Sequence, residues 1–323
     1  MEVTYLEAIR QGIWEEMERD PDVFIIGEDI GVYGGAFKVT AGMLDHFGER
    51  RVVDTPISES AIAGASIGAA LMGLRPVAEM QFADFITCAY DQLVNFAAKC
   101  RYRWGAAVPM VVRAPSGGGT HGGPFHSQNP EAWFAHVPGL KVVTPATAYD
   151  AKGLIKSAIR DNDPVIFFEH KGLYRRIKGN IPDEEYTVPI GKASVFREGT
   201  DISVITYGAM VYVARDAADE LAKEGISIEI VDLRTVFPLD EAAVLASVRK
   251  TSKAILLHED ILSGGVGGEI AARIAEKAFD HLDGPVVRIA APDTPVPFSP
   301  PLEQAFLPSV PKVIEKARWL YNY

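Results

Sequence analysis

The sequence has few cysteines, no long apolar run and no basic tract, and each absence excludes a class of protein. Cys88 and Cys100 are the only cysteines among 323 residues, which excludes a disulfide-rich secreted scaffold. The longest weakly polar run, 61–74, contains a serine and three glycines and is shorter than the ~20 apolar residues that span a bilayer. With 32 basic and 43 acidic residues the net charge is −11, and no stripe of Lys and Arg forms a nucleic-acid footprint. We therefore expect neither a membrane nor a nucleic-acid partner.

The amino-terminal residues carry no recognisable targeting signal. They lack the basic start and apolar core of a secretory peptide, and they lack the Arg- and Ser-rich composition of a transit peptide. The two cysteines are twelve residues apart on different faces of a predicted helix, which fits a reducing environment. The sequence thus predicts a cytoplasmic protein of prokaryotic type.

Helix and strand patterns alternate along the chain in two groups. Thr4 and Glu7 form a capping box before apolar residues at helical spacing, and a short apolar strand follows. Buried strands that alternate with helices are typical of a parallel α/β sheet. A polar, proline-containing stretch separates the groups. We predict two three-layer α/β domains, at 1–180 and 200–323, with a linker at 181–199.

Three familiar motifs occur without the context that gives them function. The G-x-S-x-G match at 64–68 has a helical pattern on both sides, whereas a nucleophile elbow follows a strand. The G-x-G-x-x-G match at 117–122 is followed by a poor helix opening and lacks the acidic residue of a dinucleotide site. His121, His126 and His136 fit no zinc spacing. The sequence therefore does not favour a hydrolase, a dinucleotide-binding protein or a zinc protein.

Five short segments, taken in their order along the chain, are the basis of a resemblance to a known family. They are Gly-Glu-Asp-Ile-Gly at 27–31, Asp-Thr-Pro-Ile-Ser-Glu at 54–59, Glu-Met-Gln-Phe-Ala-Asp-Phe at 79–85, the loop 117–128 ending in His-Ser-Gln, and Val-Asp-Leu-Arg-Thr at 231–235. Together they resemble the beta subunit of the thiamine-diphosphate-dependent 2-oxo acid dehydrogenases of the pyruvate and branched-chain complexes, over essentially the whole chain. The resemblance implies a transketolase-like pyrimidine-binding domain followed by a transketolase C-terminal domain.

One motif of thiamine-dependent enzymes is missing. Such enzymes hold the diphosphate through Mg²⁺ on a Gly-Asp-Gly segment, and this chain contains none. In the family, that site lies on a separate alpha subunit, in a heterotetramer of two alpha and two beta chains. The resemblance therefore implies that this chain supplies the pyrimidine side of thiamine diphosphate and is active only with an alpha partner.

The resemblance also assigns roles to single residues. Glu59 would hydrogen-bond a ring nitrogen of the aminopyrimidine and move a proton there, which suits a desolvated carboxyl group. Phe85 would stack on the pyrimidine, and Gln81 and Ile57 would line the site. His126 would face the substrate and the incoming lipoyl group. The alternatives are a first-turn acid at a helix dipole for Glu59, core packing for the three lining residues and a solvated loop histidine.

Other positions match family sites of metal and partner binding. A structural potassium ion would be held by Met110, Ala158, Asp161 and Asp163, although a helix-ending turn before proline also explains the last aspartate. Asp293 and the terminal carboxylate of Tyr323 match positions that meet the basic subunit-binding domain of a lipoyl transacylase. The helices predicted at 61–73 and 84–103 are candidates for subunit contacts.

The implied reaction is the oxidative decarboxylation of a 2-oxo acid with reductive acylation of a lipoyl group. The segments 126–136 and 263–265 are closer to branched-chain members, which favours 3-methyl-2-oxobutanoate as the substrate. Pyruvate or acetoin is the alternative. A non-catalytic scaffold subunit that docks the transacylase is a rival of another class, and a one-chain transketolase would require the missing magnesium motif.

Overall fold

The computed structural model describes residues 1–323, which form two compact units. The first unit consists of Met1–Ser116 and Trp133–Ile190, and the second of Gly117–Ala132 and Gly191–Tyr323. The segment 117–129, which contains the four glycines of the G-x-G-x-x-G match, therefore belongs to the second unit, although the strands before and after it in the chain belong to the first.

The first unit is built on a parallel sheet. Up to residue 190 the strands are β1 (Glu2–Thr4), β2 (Val23–Gly27), β3 (Val52–Asp54), β4 (Arg75–Glu79), β5 (Val111–Ser116), β6 (Lys141–Val143), β7 (Val165–His170) and β8 (Lys178–Asn180). Six of them run parallel in the order β6-β7-β5-β4-β2-β3, while β1 pairs antiparallel with β8. Strands β5 and β7 are buried at every residue, as expected of central parallel strands.

Helices pack around this sheet. They are α1 (Tyr5–Arg19), α2 (Met43–Phe47), α3 (Glu59–Leu71), α4 (Ala98–Trp104) and α6 (Ala148–Arg160). Helix α5 (Glu131–Ala135) has its first two residues in the second unit. The predicted capping box is present, because Thr4 Oγ1 accepts the Glu7 amide and the Glu7 carboxylate accepts the Thr4 amide. Helix α1 packs on α6 at Gly12, where a Cβ would lie 2.5 Å from Ile155 Cγ2. Glycine is thus required for this close approach.

The segment predicted as one long helix at 84–103 changes its winding along its length. It begins as a 3₁₀ segment at Ala83–Ala89, widens to a π-helical segment at Gln92–Ala97 and ends as α4. All three windings place apolar residues three to five positions apart, so the sequence pattern does not distinguish them. Such departures from α-helix are frequent at functional sites.

The second unit carries a sheet of five strands. Its strands are β9 (Ser194–Arg197), β10 (Ile202–Thr206), β11 (Ile228–Asp232), β13 (Ala254–Ile261) and β14 (Val287–Ala291), in the order β14-β13-β10-β11-β9 with only β9 antiparallel. A further short strand, β12, spans Thr235–Phe237. The helices are α7 (Met210–Ala222), α8 (Glu241–Thr251), α9 (Val266–Lys277), α10 (Pro300–Phe306) and α11 (Val310–Tyr321).

Two features of this unit differ from the sequence analysis. Strand β9 lies inside the stretch predicted as a linker, because an edge strand that is only partly buried needs little apolar sequence. The helices α10 and α11 follow the last predicted element, and each has proline in its first turn. None of the helices in the protein combines the length and the apolar character that a membrane span requires.

Candidate active site

Three neighbouring strands of the first unit end at one edge of the sheet. Strand β2 lies between β4 and β3, and its last residue, Gly27, is in register with Glu79 and with Asp54. The carboxyl ends of parallel strands form the usual ligand-binding edge of an α/β sheet. The segments that follow these strands, 28–31 and 55–59 and 81–85, contain most of the residues that the sequence analysis predicted.

Glu28 is a buried carboxyl group that the sequence analysis did not select. Only 4% of the residue is exposed, and its Oε1 accepts the amide of Ser58 at 3.3 Å. Burial raises the pKa of Glu28, and the nearby charge of Glu59 raises it further. Two carboxyl groups therefore lie within electrostatic reach, and one of them retains a proton more readily than an isolated glutamate. An acidic residue directly after a buried strand was the available signal.

Glu59 is the first residue of α3, and it is partly buried. The residue before it, Ser58, makes no side-chain cap and gives its amide to Glu28 instead. The helix-dipole explanation of Glu59 fits this position. That explanation does not account for Glu28, a second carboxyl group whose pKa is raised by the charge of Glu59. The catalytic role of Glu59 stays a prediction.

Hydrogen bonds fix the loops around these carboxyl groups. Gln81 Nε2 donates to Asp29 Oδ2 at 3.0 Å, and the amide of Gly31 donates to Asp54 Oδ1 at 2.7 Å. Asp29 has φ 56°, a conformation that aspartate tolerates better than most residues. A Cβ on Gly31 would lie 2.4 Å from Asp54 Oδ2, so a larger residue there would displace the Asp54 side chain. Gln81 is thus held in place at the site edge.

The two apolar residues of the predicted site have different surroundings. Phe85 lies partly buried in the 3₁₀ segment and meets Phe82 edge-on, with ring centroids 5.6 Å apart. Phe82 in turn meets Phe37 at 5.4 Å. By contrast, 82% of Ile57 is exposed. Phe85 therefore packs within an aromatic group, whereas Ile57 is uncovered.

A buried ionic cluster lies in the strands beneath this edge. Arg113 on β5 donates to Glu79 on β4, and its Nε and Nη2 donate to the Glu169 carboxylate on β7 at 2.6 and 2.7 Å. Tyr174 Oη donates to the same carboxylate at 2.6 Å. Burial raises the pKa of Glu79, and Arg113 opposes this by holding its charge. The cluster links strands β4, β5 and β7. Its residue Glu79 is two positions before Gln81 in the chain.

The second unit contains His126 and a group of buried acids. His126 lies in the loop after β5, and its amide donates to the Gly123 carbonyl at 3.3 Å. Tyr207 Oη donates to Glu131 Oε1 at 2.7 Å. Burial, together with the charge of Asp260, raises the pKa of Glu131 to about 8. Burial also raises the pKa of Asp260 to about 6.

The raised pKa of Glu131 makes the stability of the folded protein depend on pH. The folded Glu131 keeps its proton up to about pH 8, while the unfolded side chain ionises near 4.5. The folded state therefore binds more protons in this window, and stability falls as the pH rises through it, by roughly 2–5 kcal/mol at full effect. We expect Glu131→Gln to reduce the drop of the thermal midpoint between pH 5.5 and 8.5. Glu315→Gln, at an exposed site, is the control, and equal drops in wild type and Glu131→Gln would refute the shift.

Comparisons with known proteins decide the family. The family described as "Transketolase, pyrimidine binding domain" matches residues 1–177, and "Transketolase, C-terminal domain" matches residues 191–313. The chain is 53% identical to the 2-oxoisovalerate dehydrogenase subunit beta of Bacillus subtilis (strain 168), over 99% of both chains. The chain belongs to the 2-oxo acid dehydrogenase beta subunits. This confirms the predicted resemblance.

Further comparisons bear on the substrate and on the fold of this beta subunit. It is 48% identical to the pyruvate dehydrogenase E1 component subunit beta of Bacillus subtilis (strain 168), over 100% of this chain and 99% of that one. A solved chain entitled "Split gene transketolase, inactive beta4 tetramer" has 21% identity and a TM-score of 0.83, with 99% of each chain covered. The predicted transketolase-like two-domain α/β fold is confirmed.

The residues at the strand ends fit the pyrimidine part of thiamine diphosphate, the cofactor that this family implies. The buried carboxyl group of Glu28, with Glu59 near it, suits a ring nitrogen, and the ring of Phe85 follows β4 at the same sheet edge. No group of three or more His, Cys, Asp or Glu side chains in this beta subunit is arranged to hold a metal ion. The fit therefore concerns the pyrimidine end of the cofactor.

The predicted potassium positions lie among side-chain cations. They are Met110, Ala158, Asp161 and Asp163. Lys141 Nζ is 2.6 Å from the Asp161 carboxylate and 3.8 Å from that of Asp163, to which Arg101 also donates. Arg75 Nη1 donates to the Asp161 carbonyl at 3.0 Å. The three cations contact Asp161 and Asp163, and the potassium role of the four positions stays a prediction.

The predicted docking residues lie at the surface of the second unit. Asp293 accepts the amide and the hydroxyl of Ser263 at 2.9 and 2.6 Å, and these bonds lower the pKa of its carboxyl group. Tyr323 is 69% exposed and its ring lies 5.4 Å from that of Trp319. Both positions are exposed, and their role in docking stays a prediction.

Proposed function

We propose that this beta subunit, together with an alpha subunit, oxidatively decarboxylates a branched-chain 2-oxo acid and reductively acylates a lipoyl group. The observation that carries the proposal is the buried Glu28 beside Glu59 at the carboxyl ends of β2 and β3, with Phe85 at the same edge. The 53% identity to a 2-oxoisovalerate dehydrogenase subunit supports 3-methyl-2-oxobutanoate as substrate. Pyruvate or acetoin is the second candidate, given the 48% identity to a pyruvate dehydrogenase subunit.

Thiamine diphosphate, when bound, supplies the carbanion chemistry of the reaction. Glu59 holds and moves a proton at the aminopyrimidine ring nitrogen. Glu28, whose own pKa is raised by burial and by the charge of Glu59, places a second carboxyl group that can hold a proton beside Glu59. Phe85 orients the ring by stacking, while Gln81 and Ile57 line its edge.

His126 serves the transfer to the lipoyl group. In reductive acylation the dithiolane S–S bond breaks, one sulfur takes the acyl group and the other takes a proton, while the substrate is oxidised by two electrons. A protonated imidazole can give the sulfur its proton. A scaffold subunit would not need this group.

The alpha subunit provides the diphosphate and Mg²⁺ site in a heterotetramer of two alpha and two beta chains. The outer face of α3 supports a subunit contact there, because a Cβ on Gly64 or Gly68 would meet no atom within 4 Å and Met72 is 85% exposed. Small residues of this kind let another backbone approach closely. Asp293 and Tyr323 are proposed to meet the transacylase subunit-binding domain, with binding that weakens as salt increases.

The test is reconstitution with an alpha subunit. We expect the combined chains to turn over 3-methyl-2-oxobutanoate with a higher kcat/KM than pyruvate or acetoin, both with a dye and with a lipoyl domain as acceptor. Neither chain alone should be active. Preference for pyruvate would support the second candidate. A normal lipoyl rate for His126→Ala would support the scaffold role, and no turnover of any 2-oxo acid would refute the proposal.

A further inference from the structure

The loop that contains His126 is closed by one buried carboxylate of the second unit. We call residues 117–129 the glycine-rich loop. Glu259 Oε1, on β13, accepts the amide of Gly118 at 2.6 Å and the side-chain amide of Asn129 at 2.9 Å. The Gly117 amide donates to the Gln128 carbonyl at 3.2 Å. The two ends of the loop are therefore joined to each other and to the same oxygen atom.

A second carboxylate, Glu303 on α10, holds the middle of the loop. Its Oε1 accepts the amide of Gly119 at 3.0 Å, and its Oε2 accepts the amide of His121 at 3.3 Å. The same Oε2 lies 2.7 Å from His121 Nδ1. The Glu303 side chain is 1% exposed, whereas that of His121 is 48% exposed. A buried carboxylate thus holds a more exposed loop through charge-assisted hydrogen bonds.

Apolar contacts bring the loop against the segment around α10. A Cβ on Gly118 would lie 3.2 Å from Leu307 Cδ2. Gly123 has φ 68°, and a Cβ there would lie 2.2 Å from the ring of Phe298. At Gly123 both the backbone conformation and the lack of space therefore require glycine. The loop is seated on a surface formed by Phe298, Glu303 and Leu307.

We propose that Glu303 is a positioning residue that fixes the glycine-rich loop and thereby the place of His126. His126 lies five residues after the anchored His121 and three before the anchored Asn129. Without the Glu303 carboxylate the loop keeps its closed ends and its packing at Gly118 and Gly123, but the segment 119–121 loses its acceptors and gains conformational freedom. The rate of the reaction step that uses His126 would therefore fall. This role rests on the proposed function for its effect on turnover, and on the contacts alone for its effect on the loop.

Hydrogen exchange of the full chain tests the anchor without any activity. Glu303→Gln keeps the size of the side chain but removes its charge and replaces one acceptor by a donor, which faces other donors. We expect deuterium uptake of peptides covering 117–129 to become at least tenfold faster in this variant. Glu315→Gln, an exposed glutamate on α11, should leave uptake unchanged. Unchanged uptake in Glu303→Gln would overturn the proposal.

Kinetics of the reconstituted alpha–beta complex test positioning against a merely structural role. We expect Glu303→Gln to lower kcat for lipoyl-domain acylation about tenfold, with KM for the 2-oxo acid within twofold. In a His126→Ala background the same substitution should cause no further loss, since residues that act as a unit are not additive. A further tenfold loss in that background would overturn the positioning role, as would an unchanged kcat.

The two experiments separate this inference from the proposed function. If the wild-type complex turns over no 2-oxo acid, the proposed function fails, and hydrogen exchange still decides whether Glu303 anchors the loop. If the complex is active and the exchange of the loop is unaffected by Glu303→Gln, the proposed function stands and the anchor is refuted.

Discussion

Glu59→Gln should lower the turnover of 2-oxo acid by the reconstituted enzyme by about 10²–10⁴-fold, the range typical for loss of a general acid–base group. Glutamine can still hydrogen-bond a ring nitrogen but cannot give or take its proton. The affinity for thiamine diphosphate should therefore change much less than kcat. Steady-state kinetics and calorimetric titration with the cofactor measure the two effects separately.

Two outcomes would decide against this role for Glu59. Normal turnover by Glu59→Gln would exclude the assigned proton transfer. A loss of cofactor affinity that accounts for the whole loss of turnover would show that the carboxylate only binds. Glu49→Gln, at an exposed position of the same unit, is the matched control and should behave as the wild type.

Arg113→Met should destabilise the first unit by about 3–5 kcal/mol, the cost found when one partner of a buried ion pair is removed. The substitution leaves the carboxyl groups of Glu79 and Glu169 buried without their cation. Unfolding in urea measures the loss. Arg176→Met replaces an exposed arginine of the same unit and should have little effect.

The dependence of this loss on pH gives a second measurement. Without the cation, nothing opposes the effect of burial, which raises the folded-state pKa of Glu79 above its unfolded value, so the variant binds an extra proton when folded. Stability is then retained at low pH and lost as the pH rises. The deficit of Arg113→Met relative to wild type should be smaller at pH 5 than at pH 8. A deficit independent of pH would mean that lost packing, and not unpaired buried charge, explains it.

The sequence predicted those parts of the fold that depend on local pattern. The capping box at Thr4, the alternation of strands with helices and the division into two α/β domains need only neighbouring residues. The winding between Ala83 and Ala97 was not predicted, because apolar spacing looks alike in 3₁₀, α and π helices. Strand β9 was missed because an edge strand is only partly buried.

The candidate site shows the same division. Glu59, Phe85, Gln81 and His126 were selected from motifs, and the structure brings the first three to one sheet edge. Glu28 was missed, although it stands in a recognised motif, since burial and not residue type gives it an altered pKa. The potassium positions were carried over from the family, and the cations that contact them come from distant parts of the chain.

By itself, the sequence determined the family and the fold class, because motifs and periodicity are written in consecutive residues. Only the tertiary structure decided which charges lie together. Residues far apart in the chain form the carboxyl pair at the strand ends and the buried Arg113 cluster. The same is true of the hydrogen bonds between Glu303 and the glycine-rich loop. Their electrostatic properties arise from burial and distance, and folding alone sets both.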